Sequence, residues 1–397
     1  EQVCSLRPES LGLSLPPGTT TTAELVVLAR DAVGHETEVS QAIQVGTRLA
    51  WTHAVGAMSW GAVPLKGDAL AVGTDSGKVV ILTRSGKKRC SWTAPAVLGK
   101  PDGVAAPMSA SADGKTLYLV TTNAAHALDT ATCKQVWAKP PARLFYGSRP
   151  VVDTSAGVVY VGSYGGVSSK GALLAIGASS GKVLDRLAIA KVQGAVSSSP
   201  SLSADRKTVY IGSSDRNVYA VDVEKPAAMA QRWAHQVAGA VGTRPLVAGT
   251  RVYVAGAAKA IAALDAATGQ PAAGFSFAAK AGFLSGPTLG STGLLYAGSL
   301  DATLYAFDSA GKTVASFASG RLGRARPTLG PGEIVFAVRR DPGTLHALTA
   351  RLQPLWSARP GLSQNLFLGT PAVRWGLVFV GGTNGTLYAY DASPPAS

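Results

Sequence analysis

The sequence predicts an all-β fold made of eight copies of one four-stranded unit, and three recurring features predict it. The first is the phrase Leu-Tyr-Ala-x-Asp, clearest at Leu304–Asp308 and Leu387–Asp391. The second is a proline that precedes most copies by 20 to 27 residues, and the third is an aromatic residue that follows most copies. A repeat of about 40–45 residues is typical of a β-propeller. We therefore expect eight blades of four antiparallel strands.

Copies of the phrase end at intervals of 41 to 48 residues along the chain. The two clear copies are joined by three weaker and three degenerate ones, which gives eight. In chain order the copies end at Thr83, Asp129, Gly177, Asp222, Asp265, Asp308, Thr349 and Asp391.

Residues 283–317 illustrate how one copy forms a blade. Four segments, 283–289, 294–298, 304–308 and 314–317, alternate apolar and polar residues between Gly-rich breaks, as half-buried antiparallel strands do. The aspartate that ends the third segment can accept hydrogen bonds from turn amides two or three residues later.

The prolines mark the first strand of each blade. A proline lacks an N–H and is tolerated in a strand only where no partner needs that donor. The innermost strand, which faces the central channel, is such an edge. Blade 1 has Ala62 at this position, and the other blades have Pro107, Pro150, Pro200, Pro245, Pro287, Pro327 and Pro371.

Aromatic residues mark the fourth strand, where we expect each to pack against the next blade: Trp92, Trp137, Trp233, Phe317 and Trp356. The eighth copy lacks a fourth strand after Asp391, but residues 48–53, which include Trp51 and His53, have the required pattern. We therefore expect the N-terminal strand to complete the last blade. Such closure removes free sheet edges.

Residues 1–46 lie outside the repeat. Thr22–Arg30 and Glu36–Val45 flank a short turn and predict a hairpin. Their alternation resembles the last two strands of an immunoglobulin-like sandwich, although 46 residues are too few for a complete one. We interpret 1–46 as a β-rich extension or the end of such a domain, and 47–397 as the propeller.

The chain is strongly basic, with a net charge of +14 and a pI near 9.8. This charge suits an acidic partner, although it also serves solubility. Lys87-Lys88-Arg89 is the longest basic run, and such scatter argues against nucleic-acid binding. No apolar stretch reaches the ~18 residues that span a bilayer. Because the chain starts at Glu1, we expect a secreted or envelope protein without its leader, or a fragment.

Three cysteines, Cys4, Cys90 and Cys133, allow one disulfide and one free thiol, with the pairing open. Residues Glu1–Cys4 do not match a standard lipoprotein cleavage site, which argues against a lipid anchor.

Two copies resemble the quinoprotein-type (PQQ-like) repeat, whose pattern is A-x-D-x-x-T-G-x-x-x-W. They run from Ala127 to Trp137 and from Ala263 to Gly269, and the resemblance covers residues 48–392. The superfamily includes quinone-dependent alcohol dehydrogenases, the propeller lipoprotein of the outer-membrane barrel-assembly machinery, and bacterial sensor domains. The resemblance implies an eight-bladed propeller, and only the first group is enzymatic.

The resemblance gives no cofactor or catalytic residue for this chain. The dehydrogenases cap their quinone with a disulfide between adjacent cysteines and bind calcium through acidic and amide side chains, whereas this chain has no adjacent cysteines. His126, His346, His53 and His235 fall at repeat positions, and His35 lies in the N-terminal turn. We therefore predict neither a catalytic triad nor a histidine metal site.

One constellation predicts a binding site. The residue before each inner-strand proline should point to the channel mouth, and arginine occupies this position in blades 3, 5 and 7: Arg149, Arg244 and Arg326. Hairpins between second and third strands share this face, called the top face below. They add the basic residues Lys170, Arg216, Lys259, Arg339 and Arg340, with Asp75, Asp215, Asp301 and Asp341 as partial offsets.

Two interpretations of the three arginines stay open. They form a basic funnel that accepts an acidic side chain, carboxylate or phosphate from a partner, or each pairs with a local aspartate or carbonyl and holds the inner strands.

The sequence thus favours a non-catalytic scaffold of the bacterial envelope or exterior that binds proteins through a basic top face. The expected location is periplasmic, outer-membrane-associated or extracellular, and the expected partners are envelope or extracellular proteins with acidic surfaces, or glycans. A ligand-sensing or carbohydrate-binding module of a larger secreted protein is the first alternative. A quinone-dependent oxidoreductase is the second.

Overall fold

A computed structural model gives the fold of most of the chain. Side chains are not described at 20–30, 36–46, 170 and 190–192, and Cys4 and His35 lie outside the described residues. Within the described part, regular structure is β apart from a 3₁₀ turn at Pro331–Glu333, and no helix is long and apolar enough to cross a membrane. The described residues are 20–30, 36–46, 48–139, 148–163, 170–192, 196, 198–359 and 366–394.

Eight four-stranded antiparallel sheets follow one another along the chain, so the predicted propeller is confirmed. Strands are numbered in chain order, and β1 and β2 belong to the N-terminal hairpin described below. Blades 1 to 4 consist of β4 (Val63–Pro64), β5 (Ala69–Gly73), β6 (Lys78–Thr83), β7 (Lys88–Thr93), β8 (Ser109–Ala110), β9 (Thr116–Val120), β10 (Ala125–Asp129), β11 (Gln135–Lys139), β12 (Val151–Asp153), β13 (Val158–Ser163), β14 (Lys170–Gly177), β15 (Val183–Val192), β16 (Ser201–Leu202), β17 (Thr208–Gly212), β18 (Asn217–Asp222) and β19 (Ala230–Gln236).

The remaining blades repeat this order from the channel outward. Blades 5 to 8 consist of β20 (Leu246–Ala248), β21 (Arg251–Val254), β22 (Ala260–Asp265), β23 (Phe277–Ala278), β24 (Thr288–Leu289), β25 (Leu295–Gly298), β26 (Leu304–Phe307), β27 (Thr313–Phe317), β28 (Thr328–Leu329), β29 (Val335–Arg339), β30 (Thr344–Leu348), β31 (Pro354–Ala358), β32 (Ala372–Arg374), β33 (Leu377–Gly381), β34 (Thr386–Asp391) and β3 (Leu49–Ala54).

The N-terminal strand closes the ring as predicted. β3 pairs with β34, so that Trp51 lies opposite Ala389 and His53 opposite Leu387. Arg48 donates to the Ser393 carbonyl at 2.8 Å, and its carbonyl accepts from the amide of Asp391 at 2.7 Å. Both ends of the propeller are therefore held in one blade.

The hydrophobic core is divided between the blades. Eight clusters of buried side chains each combine residues from two neighbouring blades; one, for example, joins Tyr160 of blade 3 to Ile211 of blade 4. Since burial of apolar area is the main favourable term in folding, each blade depends on its neighbours.

Tryptophans of the fourth strands dock on the next blade in a repeated way. Trp233 Nε1 donates to the Ala266 carbonyl at 3.1 Å, and the ring covers Gly269, where a Cβ would lie 2.6 Å from the ring. Gly269 has φ +73°, which a glycine adopts without strain. The T-G of the repeat thus receives the tryptophan of the preceding blade. Equivalent pairs are Trp51 with Gly86 and Trp137 with Gly181.

Trp92 and Phe317 lie in fourth strands and pack against the next blade as predicted, but two residues away from this docking position. Strand register places Cys90 opposite Ile81 and Ala315 opposite Ala306, which is where Trp233 faces Ala220 in blade 4. Trp92 and Phe317 instead contact His126 and His346 of the next blade, with ring centroids 4.9 and 5.2 Å apart. The interpretation of these histidines as repeat positions agrees with that packing.

A disulfide replaces the tryptophan docking between blades 1 and 2. Cys90 stands at the tryptophan position and Cys133 at the glycine position, where it keeps a glycine-like φ of +59°, and the two cysteines are bonded. The Thr130 carbonyl, which corresponds to the Ala266 acceptor, lies 4.0 Å from Cys90 Sγ. The bond therefore joins neighbouring blades at their outer edge.

The N-terminal residues form the predicted hairpin. β1 (Thr20–Arg30) pairs antiparallel with β2 (Glu36–Gly46) over its full length. Its assignment to an extension or to the end of a preceding domain stays a prediction.

Replacing the disulfide by serines, Cys90→Ser with Cys133→Ser, should lower the free energy of unfolding by about 3–4 kcal/mol, because a 43-residue loop is released in the unfolded chain. In the double variant Cys90→Trp with Cys133→Gly, the free energy of unfolding should fall by at least about 1 kcal/mol less than in the double serine variant. The new tryptophan and glycine restore the docking seen between other blades, and glycine adopts the positive φ of position 133 without strain. Urea unfolding measures both, and equal losses would contradict the equivalence.

Candidate functional site

A ring of hydrogen bonds links the inner strands around the channel. A hydroxyl on the inner strand of one blade donates to the proline carbonyl of the next blade in four places, with distances of 2.6 to 2.8 Å. The four pairs are Ser109 with Pro150, Ser201 with Pro245, Thr288 with Pro327, and Thr328 with Pro371. The prolines that marked the repeat thus supply acceptors where they cannot donate.

The three predicted arginines are bound to three of these hydroxyls. The Nε–H groups of Arg149, Arg244 and Arg326 donate to Ser109, Ser201 and Thr288, each at 2.9 Å. Each hydroxyl therefore makes two bonds to one Arg-Pro dipeptide of the following blade. Arg326 also donates through Nη2 to the Pro287 carbonyl.

The even-numbered blades have small residues before the inner-strand proline, and these residues allow the backbone of each arginine to approach closely. The Ser199 hydroxyl accepts from the Arg149 amide at 3.0 Å, and the Thr370 hydroxyl accepts from the Arg326 amide at 3.1 Å. At Gly286 a Cβ would lie 2.2 Å from the Arg244 carbonyl oxygen. A small residue of the following blade thus lies against the backbone of each arginine.

Charge around the channel is uncompensated within the described residues, where no carboxylate pairs with any of the three arginines. Burial and repulsion from Arg244 lower the pKa of Arg149 to about 10. Burial and repulsion from the other two lower the pKa of Arg326 to about 9, and burial lowers the pKa of Arg244. Because a guanidinium keeps its proton at neutral pH, the channel carries a concentrated positive charge.

The arginines line a cavity of about 750 Å³ in the channel. Arg324 joins them, so four arginines border one space. Apolar side chains from several blades form much of the remaining wall, and two of them, Leu284 and Leu300, are each 41% exposed. The largest apolar lining residues are Trp60, Met108, Phe283, Leu284, Leu300 and Leu368.

The predicted hairpin residues lie on the top face but do not line the cavity. Arg216, Lys259 and Arg340 are exposed in turns between second and third strands, and within the described part none of them has an ion-pair partner. Arg339 donates to the Asp341 carbonyl at 2.9 Å. Lys170 begins β14, and its side chain lies outside the described residues.

The aspartates that were expected to offset the basic charge make hydrogen bonds mainly within or beside their own hairpins. Asp301 accepts from the Tyr305 hydroxyl at 2.9 Å, and Asp215 accepts from the Tyr219 hydroxyl at 2.6 Å. Asp75 accepts from the amide and hydroxyl of Ser59. The first two bonds hold the tyrosine of the repeated phrase against its own hairpin.

The hydrogen bonds of the arginines bear on the second interpretation, and the basic funnel that accepts a partner's acidic group stays a prediction. The Nε–H groups hold neighbouring inner strands together, through hydroxyls and not through aspartates as the second interpretation allowed. The sequence reading did not identify these hydroxyls. A signal was present, because serine or threonine follows the proline by one or two residues in the blade before each arginine.

The described residues do not fit the quinone and calcium that the repeat implies for the dehydrogenases. The disulfide joins the outer strand of blade 1 to the turn before the outer strand of blade 2 and does not link adjacent cysteines. In the part of the chain that the structure describes, no group of three or more His, Cys, Asp or Glu side chains could hold a metal ion.

Comparison with known proteins finds one matching family and several solved structures of similar fold. The family described as "Outer membrane protein assembly factor BamB" matches residues 35–272. BamB from Moraxella catarrhalis is similar in structure, with a TM-score of 0.66, 19% identity, and coverage of 86% of this chain and 98% of that one. The computationally designed protein Ika8 has a TM-score of 0.67 with 12% identity, covering 85% and 98%. No curated protein sequence matches significantly.

Gly286→Ala should destabilise the propeller by about 1–3 kcal/mol, because the added Cβ meets the Arg244 carbonyl and the inner strands must separate. Gly242→Ala is the matched control, since Gly242 also lines the cavity but has open space at its Cβ. It should change the free energy of unfolding by less than about 1 kcal/mol. Urea denaturation measures both, and equal effects would contradict the tight inner ring.

Proposed function

Because this chain belongs to the family described as outer membrane protein assembly factor BamB, we propose that it is a non-catalytic propeller scaffold of the bacterial cell envelope. In this role the ring is a rigid platform, and the top face binds other envelope or extracellular proteins. A shared fold does not by itself give a function, and the surface of the propeller supplies the further support.

The charge of the top face is the observation that carries the proposal. Exposed Arg216, Lys259 and Arg340 surround a channel whose arginines have no acidic partner among the described residues. The exposed Leu284 and Leu300 lie at the same opening. An apolar centre with a charged rim is the usual anatomy of a protein interface, and the positive rim suits an acidic partner because complementary charge speeds and orients association.

The disulfide supports a location outside the cytoplasm. Structural disulfides persist in oxidising compartments and are rare in the cytosol. Cys90–Cys133 occupies a position where other blades use a tryptophan and a glycine. A periplasmic, outer-membrane-associated or extracellular site is consistent with this bond and with the family.

The described residues favour a scaffold over an enzyme. The four charged residues bordering the cavity are all arginines, and its described wall offers neither an acid–base pair nor a nucleophile with a base. Histidines, which most often serve as general bases, pack between blades at His126 and His346.

A charge-reversed top face tests the scaffold. The triple variant Arg216→Glu, Lys259→Glu, Arg340→Glu should lose the envelope proteins that the wild-type chain retains from a detergent-solubilised envelope of its own producing cell. The measurement is quantitative mass spectrometry of the proteins retained on the immobilised chain.

The control reverses the same charge on the opposite face. Lys115→Glu, Lys182→Glu and Lys312→Glu change exposed lysines in the turns that join first to second or third to fourth strands. This variant should retain the same proteins as the wild type. Equal retention by both variants, no retained envelope protein, or retention of glycans alone would overturn the proposal.

A further inference from the structure

We propose that the channel cavity is a binding site for an organic carboxylate with an apolar body, held by Arg149 and Arg244. This site goes beyond the scaffold function and rests on it only where the carboxylate belongs to a partner protein. Four features of the cavity indicate this class of ligand: unused hydrogen-bond donors, uncompensated positive charge, an apolar wall and a suitable volume.

Donors of the guanidinium groups are only partly used. Arg149 and Arg244 each donate through Nε to an inner-strand hydroxyl, and no acceptor among the described residues binds their Nη groups. A guanidinium has five donors in a planar fork. The bond at Nε fixes each fork in place and leaves the Nη edge for a ligand. This edge matches the two oxygens of a carboxylate.

An orphaned hydroxyl adds a further donor. Ser285 is 5% exposed and lines the cavity, and its Oγ has no hydrogen-bond partner in the structure. A buried hydroxyl without a partner costs free energy. A carboxylate oxygen in the cavity would provide the missing acceptor.

The charge of the cavity favours an anion. Four arginines border it, and the described wall contains no carboxylate. Repulsion from Arg244 contributes to the lowered pKa of Arg149, and repulsion from Arg244 and Arg149 contributes to the lowered pKa of Arg326. A bound anion relieves this repulsion in a region partly shielded from water, where electrostatic interactions are stronger than in bulk solvent.

The apolar wall distinguishes an organic carboxylate from inorganic phosphate. Trp60, Met108, Phe283 and Leu368 face the same space as the arginines. Phosphate would leave these side chains without an apolar partner, whereas a carboxylate with an apolar body satisfies both halves. A cavity of about 750 Å³ falls within the range of about 300–1,000 Å³ that small-molecule sites occupy.

Isothermal titration calorimetry with matched probes tests the site. The probes are 4-phenylbutyrate, its neutral amide 4-phenylbutyramide, the capped peptide Ac-Leu-Asp-Phe-NH₂ and inorganic phosphate. At least one of the two carboxylates should bind, and 4-phenylbutyramide should bind at least about tenfold more weakly than 4-phenylbutyrate if the acid binds. Binding of the acid alone assigns a free small molecule. Binding of the peptide, alone or with the acid, shows that the cavity accepts the aspartate side chain of a partner protein.

Three variants connect binding to the cavity. Arg244→Gln should weaken carboxylate binding at least about tenfold, because it removes a charge-assisted donor. Gly242→Leu keeps every arginine and fills open space at the cavity wall, so it should weaken binding equally even if Arg244→Gln does not fold. Lys182→Gln changes an exposed lysine on the opposite face and should leave binding unchanged.

Any one of four results would contradict the proposed carboxylate site. They are no heat from either carboxylate up to about 10 mM, where the binding free energy is near 3 kcal/mol, equal binding of acid and amide, tighter binding of phosphate, or full binding by the Gly242→Leu variant. Because the scaffold test changes only residues outside the cavity, the two proposals can fail separately.

Discussion

The contact between an inner-strand hydroxyl and the Arg-Pro dipeptide of the next blade is the interaction on which the channel depends. In three places one hydroxyl donates to the proline carbonyl and accepts from the arginine Nε. Inner strands of two or three residues have few ladder bonds of their own. The contact therefore joins blades at the channel, while tryptophans and one disulfide join them at the outer edge.

The same contact determines the chemistry of the channel. Proline removes an amide donor and exposes a carbonyl, the hydroxyl satisfies that carbonyl, and the arginine satisfies the hydroxyl. Each step adds a hydrogen bond, yet together they bring three guanidinium groups to one cavity without a carboxylate among the described residues. Both proposals, the basic top face and the carboxylate site, follow from a charge that the ring requires but does not neutralise.

The sequence repeat predicted the features that every blade shares, and it predicted less well the features in which the blades differ. The Leu-Tyr-Ala-x-Asp period gave the number of blades and the closing strand, because strand alternation and turn chemistry are local. Trp92 and Phe317 were correctly predicted to pack against the next blade, but the residue type alone does not show that they lie two residues from the position of Trp233. The Cys90–Cys133 bond could be located only once Cys90 was aligned with Trp233 and Cys133 with Gly269. Arg149, Arg244 and Arg326 were found as departures from the repeat, whereas their hydroxyl partners come from neighbouring blades about 40 residues away.

A double-mutant cycle between Ser201 and Arg244 tests the central contact most directly. Free energies of unfolding are measured for the wild type, Ser201→Ala, Arg244→Gln and the double variant. If the hydroxyl and the guanidinium hold the inner strands together, the cycle gives a favourable coupling of about 1–3 kcal/mol, as expected for a hydrogen bond to a charged group. Additivity within about 0.5 kcal/mol would contradict the account.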